Sequence, residues 1–236
     1  MACQPLDCKT HQEIVGFKYP LRHFRAALKS QRKVKVVAIG SSSTAGADKI
    51  LPFLPRLEML LRENFYGSMI DVINRGIGGQ EALDELSRFE SDVIAEAPAL
   101  VIWQVGTNAV YHYKDYNRAD VARAIAAGLD WLAELPMDVV LMDLQYTKAM
   151  IEMIPPSDIV KLPLSEDMVS RIATVAVSAK PQVNVFRRFA LMRQWEADGV
   201  SRDVLDDGCP EHLHTSKWAT NCVAQALSEA IINSPL

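Results

Sequence analysis

Five short apolar runs alternate with long segments of helical spacing, and this alternation constrains the chain more than any single motif. The runs are KVKVVAI (33–39), MIDVIN (69–74), ALVIWQV (99–105), MDVVLMDL (137–144) and the shorter VNVFRRF (183–189). Each is short and apolar enough to be a strand buried on both faces. Segments 48–65, 80–97, 118–135 and 164–179 separate them, and KWATNCVAQALSEAII (217–232) closes the chain. In 48–65, Leu54, Leu57, Leu60 and Leu61 make one stripe, the spacing of a helix face. In 164–179, Ser165 followed by Glu166 and Asp167 suits a helix start. Strands joined by helices of this length need right-handed crossovers, so the expected fold is α/β, a single three-layer α/β/α domain on a five-stranded parallel sheet. Residues 1–20 read as an N-terminal arm and 21–236 as the domain, with a further helix over 21–31 and loops over 145–164 and 198–215.

The net charge of −4 comes without any block of like charges. It supplies no electrostatic reason for nucleic acid or an anionic membrane as partner. No apolar run approaches the length of a membrane span, and the first twenty residues lack the basic and apolar regions of a signal peptide. Cytoplasm is therefore the expected location, with periplasm or secretion as the alternative. Cys3, Cys8, Cys209 and Cys222 form no C-x-x-C and fit no zinc spacing, so no metal is expected. They read as four unrelated thiols, or as the pairs Cys3–Cys8 and Cys209–Cys222 in an oxidising compartment.

A parallel sheet presents its ligand at the carboxyl ends of its strands. GSSSTAG (40–46), GIGG (76–79), GTN (106–108) and EHLH (211–214) all fall there. The first of these fails as a phosphate loop, because Gly40 and Gly46 enclose five residues and Ala47 stands where lysine is needed. The second begins a dinucleotide fingerprint, but Glu81 occupies the place of its last glycine, so no nucleotide cofactor is expected. A nucleophile turn remains. A serine hydroxyl needs a base, usually a histidine oriented by a carboxylate, and donors for the oxyanion. Thr44 replaces the second glycine of a G-x-S-x-G elbow, which argues against that variant. Of the five histidines, His11 and His23 precede the first core strand, and His112 follows GTN. His212 and His214 lie just before the last helix, spaced so that one of them points inward.

Taken together, the blocks Gly40-Ser41-Ser42, Asn74 to Gly79, Gly106-Thr107-Asn108 and Glu211 to His214 resemble, in order, those of the SGNH hydrolases, the GDSL esterase/lipase group. The resemblance covers about residues 34–232. It implies a flavodoxin-like sheet, with Ser42 as nucleophile and His214 as general base. The Ser42 N–H, the Gly79 N–H and the Asn108 amide would hold the oxyanion. The block pattern puts the acid at Glu211, three residues before His214. Asp207 of LDDGCPEH competes, and Glu211 is favoured because HTSKWATNCVAQAL fixes the register of His214. There are two departures: Ser41 stands where the group has Asp, and Glu211 replaces an Asp. Trp103 reads as core, and Gln104 as either core or site. Tyr111, Tyr113, Gln145 and Tyr146 are candidates to shape an acyl or sugar pocket. The implied function is a serine esterase for short acyl esters, O-acetyl carbohydrates among them, working without a cofactor. The alternatives are an acyltransferase, a thioesterase or lysophospholipase on the same fold, or a non-catalytic binding module.

Overall fold

The computed structural model describes residues 7–47, 50–155 and 157–236. Its strands are β1 (Lys33–Gly40), β2 (Met69–Gly76), β3 (Leu100–Gln104), β4 (Asp138–Met142) and β5 (Asn184–Phe186). They form one sheet in the order β2-β1-β3-β4-β5, parallel throughout. This is the flavodoxin-like order, whose switch point lies between β1 and β3. Val36, Val37, Ala38 and Ile39 of β1 and every residue of β3 are buried, as expected of central strands covered on both faces. Helix Leu54–Asn64 packs with Lys217–Ile232, and Arg118–Ala133 packs with Leu162–Ser178, giving the two outer layers. The register pairs Gly40 with Gly76 and Ile39 with Trp103. The loops after β1, β2 and β3 therefore leave the sheet at one level of one edge.

Three segments differ from the sequence expectation. Residues 80–97 are not one helix but Ala82–Leu86, Phe89–Asp92 and a 3-10 turn, Ile94–Glu96. The chain breaks at Arg88, whose guanidinium donates to the carbonyls of Arg75 at 2.7 Å and Gly40 at 3.3 Å. Strand β5 stops at Phe186, and Arg188–Ala197 is a helix. Short helices, Lys148–Ile151 and Arg202–Leu205, interrupt the two expected loops.

Residues 7–20 pack onto the domain. Val15 is fully buried, Trp195 Nε1 donates to the Lys9 carbonyl at 2.7 Å, and the Lys18 and Tyr19 N–H groups donate to Asn184. Cys8 is joined to Cys222 in the last helix. This corrects the reading of four unrelated thiols and both alternative pairs, because the arm folds back over that helix; Cys3 lies outside the described residues.

Candidate active site

The serine turn begins where β1 ends. A Cβ on Gly40 would lie 2.4 Å from Thr44 Oγ1 and 2.9 Å from Gln104 Oε1, so only glycine lets the chain turn this tightly. The one-turn helix Ser42–Ala45 follows. Gln104 Oε1 accepts from the Ser41 N–H at 3.1 Å, the Ser41 hydroxyl at 3.0 Å and the Thr44 hydroxyl at 3.3 Å. The Ser43 hydroxyl donates to Gln145 Oε1 at 3.4 Å. Two of the three serines are thus tied into the protein. Ser42 Oγ instead meets His214 Nε2 at 2.9 Å.

His214 is delivered by a segment that doubles back on itself. The Ser216 N–H donates to the Leu205 carbonyl and the Asp207 N–H to the His214 carbonyl, both at 3.0 Å. This antiparallel pairing sets Asp207 across from His214. Its Oδ2 lies 3.7 Å from His214 Nδ1, and its side chain is 3% exposed. Its Oδ1 accepts from the Cys209 N–H at 3.0 Å. A hydrogen bond to His214 needs the pair to close by about 0.5 Å.

Glu211 points elsewhere. It is exposed, it lies against Tyr111, whose phenol it helps to hold protonated, and among the described residues it has no ion pair with His214. The expectation that Glu211 rather than Asp207 is the carboxylate facing the histidine is therefore corrected. A three-residue spacing brings side chains together on a helix, but this segment is a turn with His212 in the left-handed region at φ 47°. The His212 ring turns to Asp206, 3.3 Å away, and only His214 reaches Ser42.

The GTN turn is held from beneath. Gly106 takes φ 90°, which favours glycine. Its N–H and that of Ala109 both donate to the Glu81 carboxylate at 2.8 Å. Glu81 and the neighbouring Glu85 are buried, and burial raises both pKa values; the charge of Glu81 adds to the rise at Glu85. Neither touches Ser42 or His214. Asn108, 2% exposed, donates one amide hydrogen to the Gln80 carbonyl at 2.6 Å, which ties GTN to the GIGG turn. In that turn Gly78 packs over Ser42, its Cβ position lying 3.8 Å from the serine Cβ. Among the described residues the N–H groups of Ser42 and Gly79 have no backbone partner.

A buried polar network joins these loops. The Thr107 hydroxyl and Arg188 Nη2 donate to Gln145 Oε1 at 3.0 and 2.8 Å. Gln145 Nε2 and the Thr147 hydroxyl donate to the Leu213 carbonyl, both at 3.0 Å, anchoring the residue before His214. Gln145 therefore lies under the site and not in its wall. Tyr146 is likewise buried, its hydroxyl donating to Glu196 at 2.6 Å. Both depart from the pocket-lining expectation. Gln104 belongs to the same network, with Nε2 donating to Thr107. Sequence reading assigned no role to Thr107 within its block, to Glu81 or to Arg188. Their one sequence signal is a polar side chain at the mouth of an otherwise apolar strand or at the head of a helix.

Asp143, at the end of β4, gives this network a pH signature. Burial pushes its carboxyl up to about 7, against the Phe189 N–H that donates to it at 2.9 Å. The folded pKa lies above the ordinary 3.8, so the unfolded chain loses its proton first as pH rises. The contribution to stability is thus complete at acid pH and is lost as pH climbs through the folded pKa. Asp143→Asn keeps the Phe189 bond and removes the titration. Urea midpoints measured from pH 4 to 8 are expected to fall less steeply in this variant than in the parent; parallel profiles would refute the assignment.

Among the described residues no group of three or more His, Cys, Asp or Glu is placed to hold a metal ion, and no helix is long and apolar enough to cross a membrane.

Comparison with known proteins places this geometry. The model of a family described as Non-GDSL lipase-like matches residues 7–235. That is close to the GDSL group but not the same, and the first block here reads GSS where GDS would stand. An uncharacterized lipoprotein of Bacillus subtilis, YqeF, is 34% identical over 76 residues, 31% of each chain. The match thus spans about a third of that relative's length. A catalytic mutant of Axe2, an acetylxylan esterase from Geobacillus stearothermophilus, superposes with a TM-score of 0.70 at 17% identity, covering 86% of this chain and 95% of that one. LAE5, an alpha/beta hydrolase enzyme from the metagenome of Lake Arreo, Spain, superposes at 0.67 and 18% identity, covering 85% and 97%. At these identities the two likenesses establish a shared fold.

Proposed function

The chain belongs to the Non-GDSL lipase-like family, and from that premise we propose that it is a serine esterase acting on short acyl esters with SGNH-type machinery. The observation that carries this reading is the 2.9 Å contact between Ser42 Oγ and His214 Nε2, at the sheet edge where such a fold binds ligands. In the proposed cycle His214 takes the Ser42 proton as the hydroxyl oxygen attacks the ester carbonyl. Asp207 holds the imidazole in the tautomer that presents a bare Nε2 and stabilises the cation that forms. The oxyanion is received by the N–H groups of Ser42 and Gly79 and by the second amide hydrogen of Asn108. His214 then protonates the leaving alcohol, and water repeats the sequence on the acyl-enzyme.

The acyl group is short in this reading. The cavity beside Ser42, walled by Gly46, Ile50, Leu51 and Pro52, measures about 20 Å³. That is room for about one water-sized group, which suits an acetyl methyl. The likeness to an acetylxylan esterase supports an acetylated carbohydrate as the alcohol side. The Cys8–Cys222 pair favours an oxidising compartment over the expected cytoplasm, and the partial match to a lipoprotein supports the same direction.

Labelling with a fluorophosphonate, together with p-nitrophenyl esters of rising chain length, tests the reading. Labelling is expected, with kcat/KM falling at least about tenfold from acetyl to hexanoyl, in line with the loss of a shape-matched pocket. A chain that neither labels nor hydrolyses acetyl esters is a binding module. One that acetylates a sugar hydroxyl faster than water is a transferase.

A further inference from the structure

Lys161 heads the helix Leu162–Ser178 and is 3% exposed. Among the described residues no carboxylate lies within 4.0 Å of its ammonium, and no hydrogen bond engages it. It lies over the face of the Tyr111 ring, 4.5 Å from the centroid. It lines a cavity of about 340 Å³ together with Tyr111, His112, Tyr113, Ile154 and Glu211. Other charges at the rim are matched: Lys114 meets Asp158 at 3.3 Å and His112 approaches Asp115 at 3.9 Å. Glu211 is exposed and solvated. The stem of Lys161 is buried while its ammonium opens onto the cavity, and a cation held there with no carboxylate partner is only partly compensated by a ring face. An anion entering the cavity would supply the rest.

The cavity adjoins the candidate active site through two elements. Helix Thr107–Tyr111 carries Asn108 at one end and Tyr111 about one turn further on. Glu211, which also lines the cavity, is three residues from His214. The Tyr111 hydroxyl has no partner among the described residues, and burial keeps it protonated as a donor.

We propose that this cavity binds an anionic substituent of the ester substrate, a carboxylate or a phosphate, with Lys161 as its ion partner and Tyr111 beside it. The proposal deepens the esterase reading, because it places the charge on the part of the substrate that extends past Asn108. The binding itself does not require catalysis.

The test begins with titration calorimetry of the full chain with benzoate, phenyl phosphate and the neutral benzyl alcohol. The parent is expected to bind at least one of the anions more tightly than the alcohol, and the stronger anion distinguishes carboxylate from phosphate. Lys161→Met is expected to weaken that anion at least about tenfold, while Lys161→Arg stays within about threefold of the parent, as a charge-paired contact would. The Met variant keeps the buried apolar stem and removes only the charge at the cavity, so its Tm should stay close to that of the parent. Ile154→Trp fills the cavity while leaving Lys161 unsubstituted and should also abolish binding. In kinetics, the preference of the parent for 4-acetoxybenzoate or 4-acetoxyphenyl phosphate over phenyl acetate should disappear in Lys161→Met. Equal anion affinity in the parent and Lys161→Met, or no affinity for either anion in the parent, overturns the proposal. Lysine-dependent binding in a chain that hydrolyses no ester would keep the site and sink the esterase reading. Ester hydrolysis without such binding would do the reverse.

Discussion

Ser42→Ala is expected to lower kcat for p-nitrophenyl acetate by about 10⁴- to 10⁶-fold and to abolish fluorophosphonate labelling, as removal of a serine nucleophile does elsewhere. At about 1.4 kcal/mol per decade, that is about 6–8 kcal/mol of transition-state stabilisation. Its neighbours offer no substitute. The Ser41 hydroxyl is committed to Gln104, beneath the turn, and Ser43 Oγ faces Gln145. Ser42 Oγ alone meets the imidazole of His214. The turn itself is held by Gln104 and does not depend on the Ser42 hydroxyl, so stability should change by no more than about 0.5 kcal/mol. If the two groups act as one unit, as proposed, Ser42→Ala combined with His214→Ala should be little worse than either alone. A Ser42→Ala protein that labels as well as the parent would remove Ser42 from the mechanism.

Asp207→Asn is expected to reduce kcat by about 10²- to 10⁴-fold, with Glu211→Gln within about threefold of the parent. Asparagine preserves the volume and can still accept from the Cys209 N–H, so the loop survives. What it removes is the negative charge 3.7 Å from His214 Nδ1. Without that charge the imidazole loses its preference for the tautomer with a bare Nε2, and the cation formed on proton transfer goes uncompensated. The exposed Glu211, turned toward Tyr111, has neither task. The reverse pattern, a rate that depends on Glu211 and ignores Asp207, would restore the acid that the block spacing favours.

These two variants mark where sequence reading succeeds and where it stops. The strands were legible because a buried parallel strand is a continuous apolar run, and Val36 to Ile39 and Leu100 to Trp103 are just that. The last helix was legible from its helical spacing over 217–232 and occupies Lys217–Ile232. Residues 80–97 misled because good helix formers such as EALDEL say nothing of Arg88, which leaves the helix to reach two carbonyls of neighbouring strands. Gln145 and Tyr146 looked like pocket residues because polar and aromatic side chains after a strand have the same appearance whether they face solvent or a buried network. The difference lies in partners contributed by Thr107, Arg188 and Leu213, distant in the chain.

The sequence by itself determined the layer architecture, the edge of the sheet at which its four blocks meet, and the short list of groups gathered there. Those properties follow from hydrophobic period and strand order, which are local or nearly so. The block pattern had already singled out Ser42; the tertiary structure decided what leaves that serine free to meet the histidine and which carboxylate faces it. Both choices depend on hydrogen bonds between distant loops: Gln104 draws Ser41 under the turn, and the pairing of Asp207 with His214 places an aspartate seven residues away where a three-residue spacing pointed to Glu211. A motif records separation along the chain, whereas proton transfer depends on separation in space. In a turn that reverses direction, the two part company.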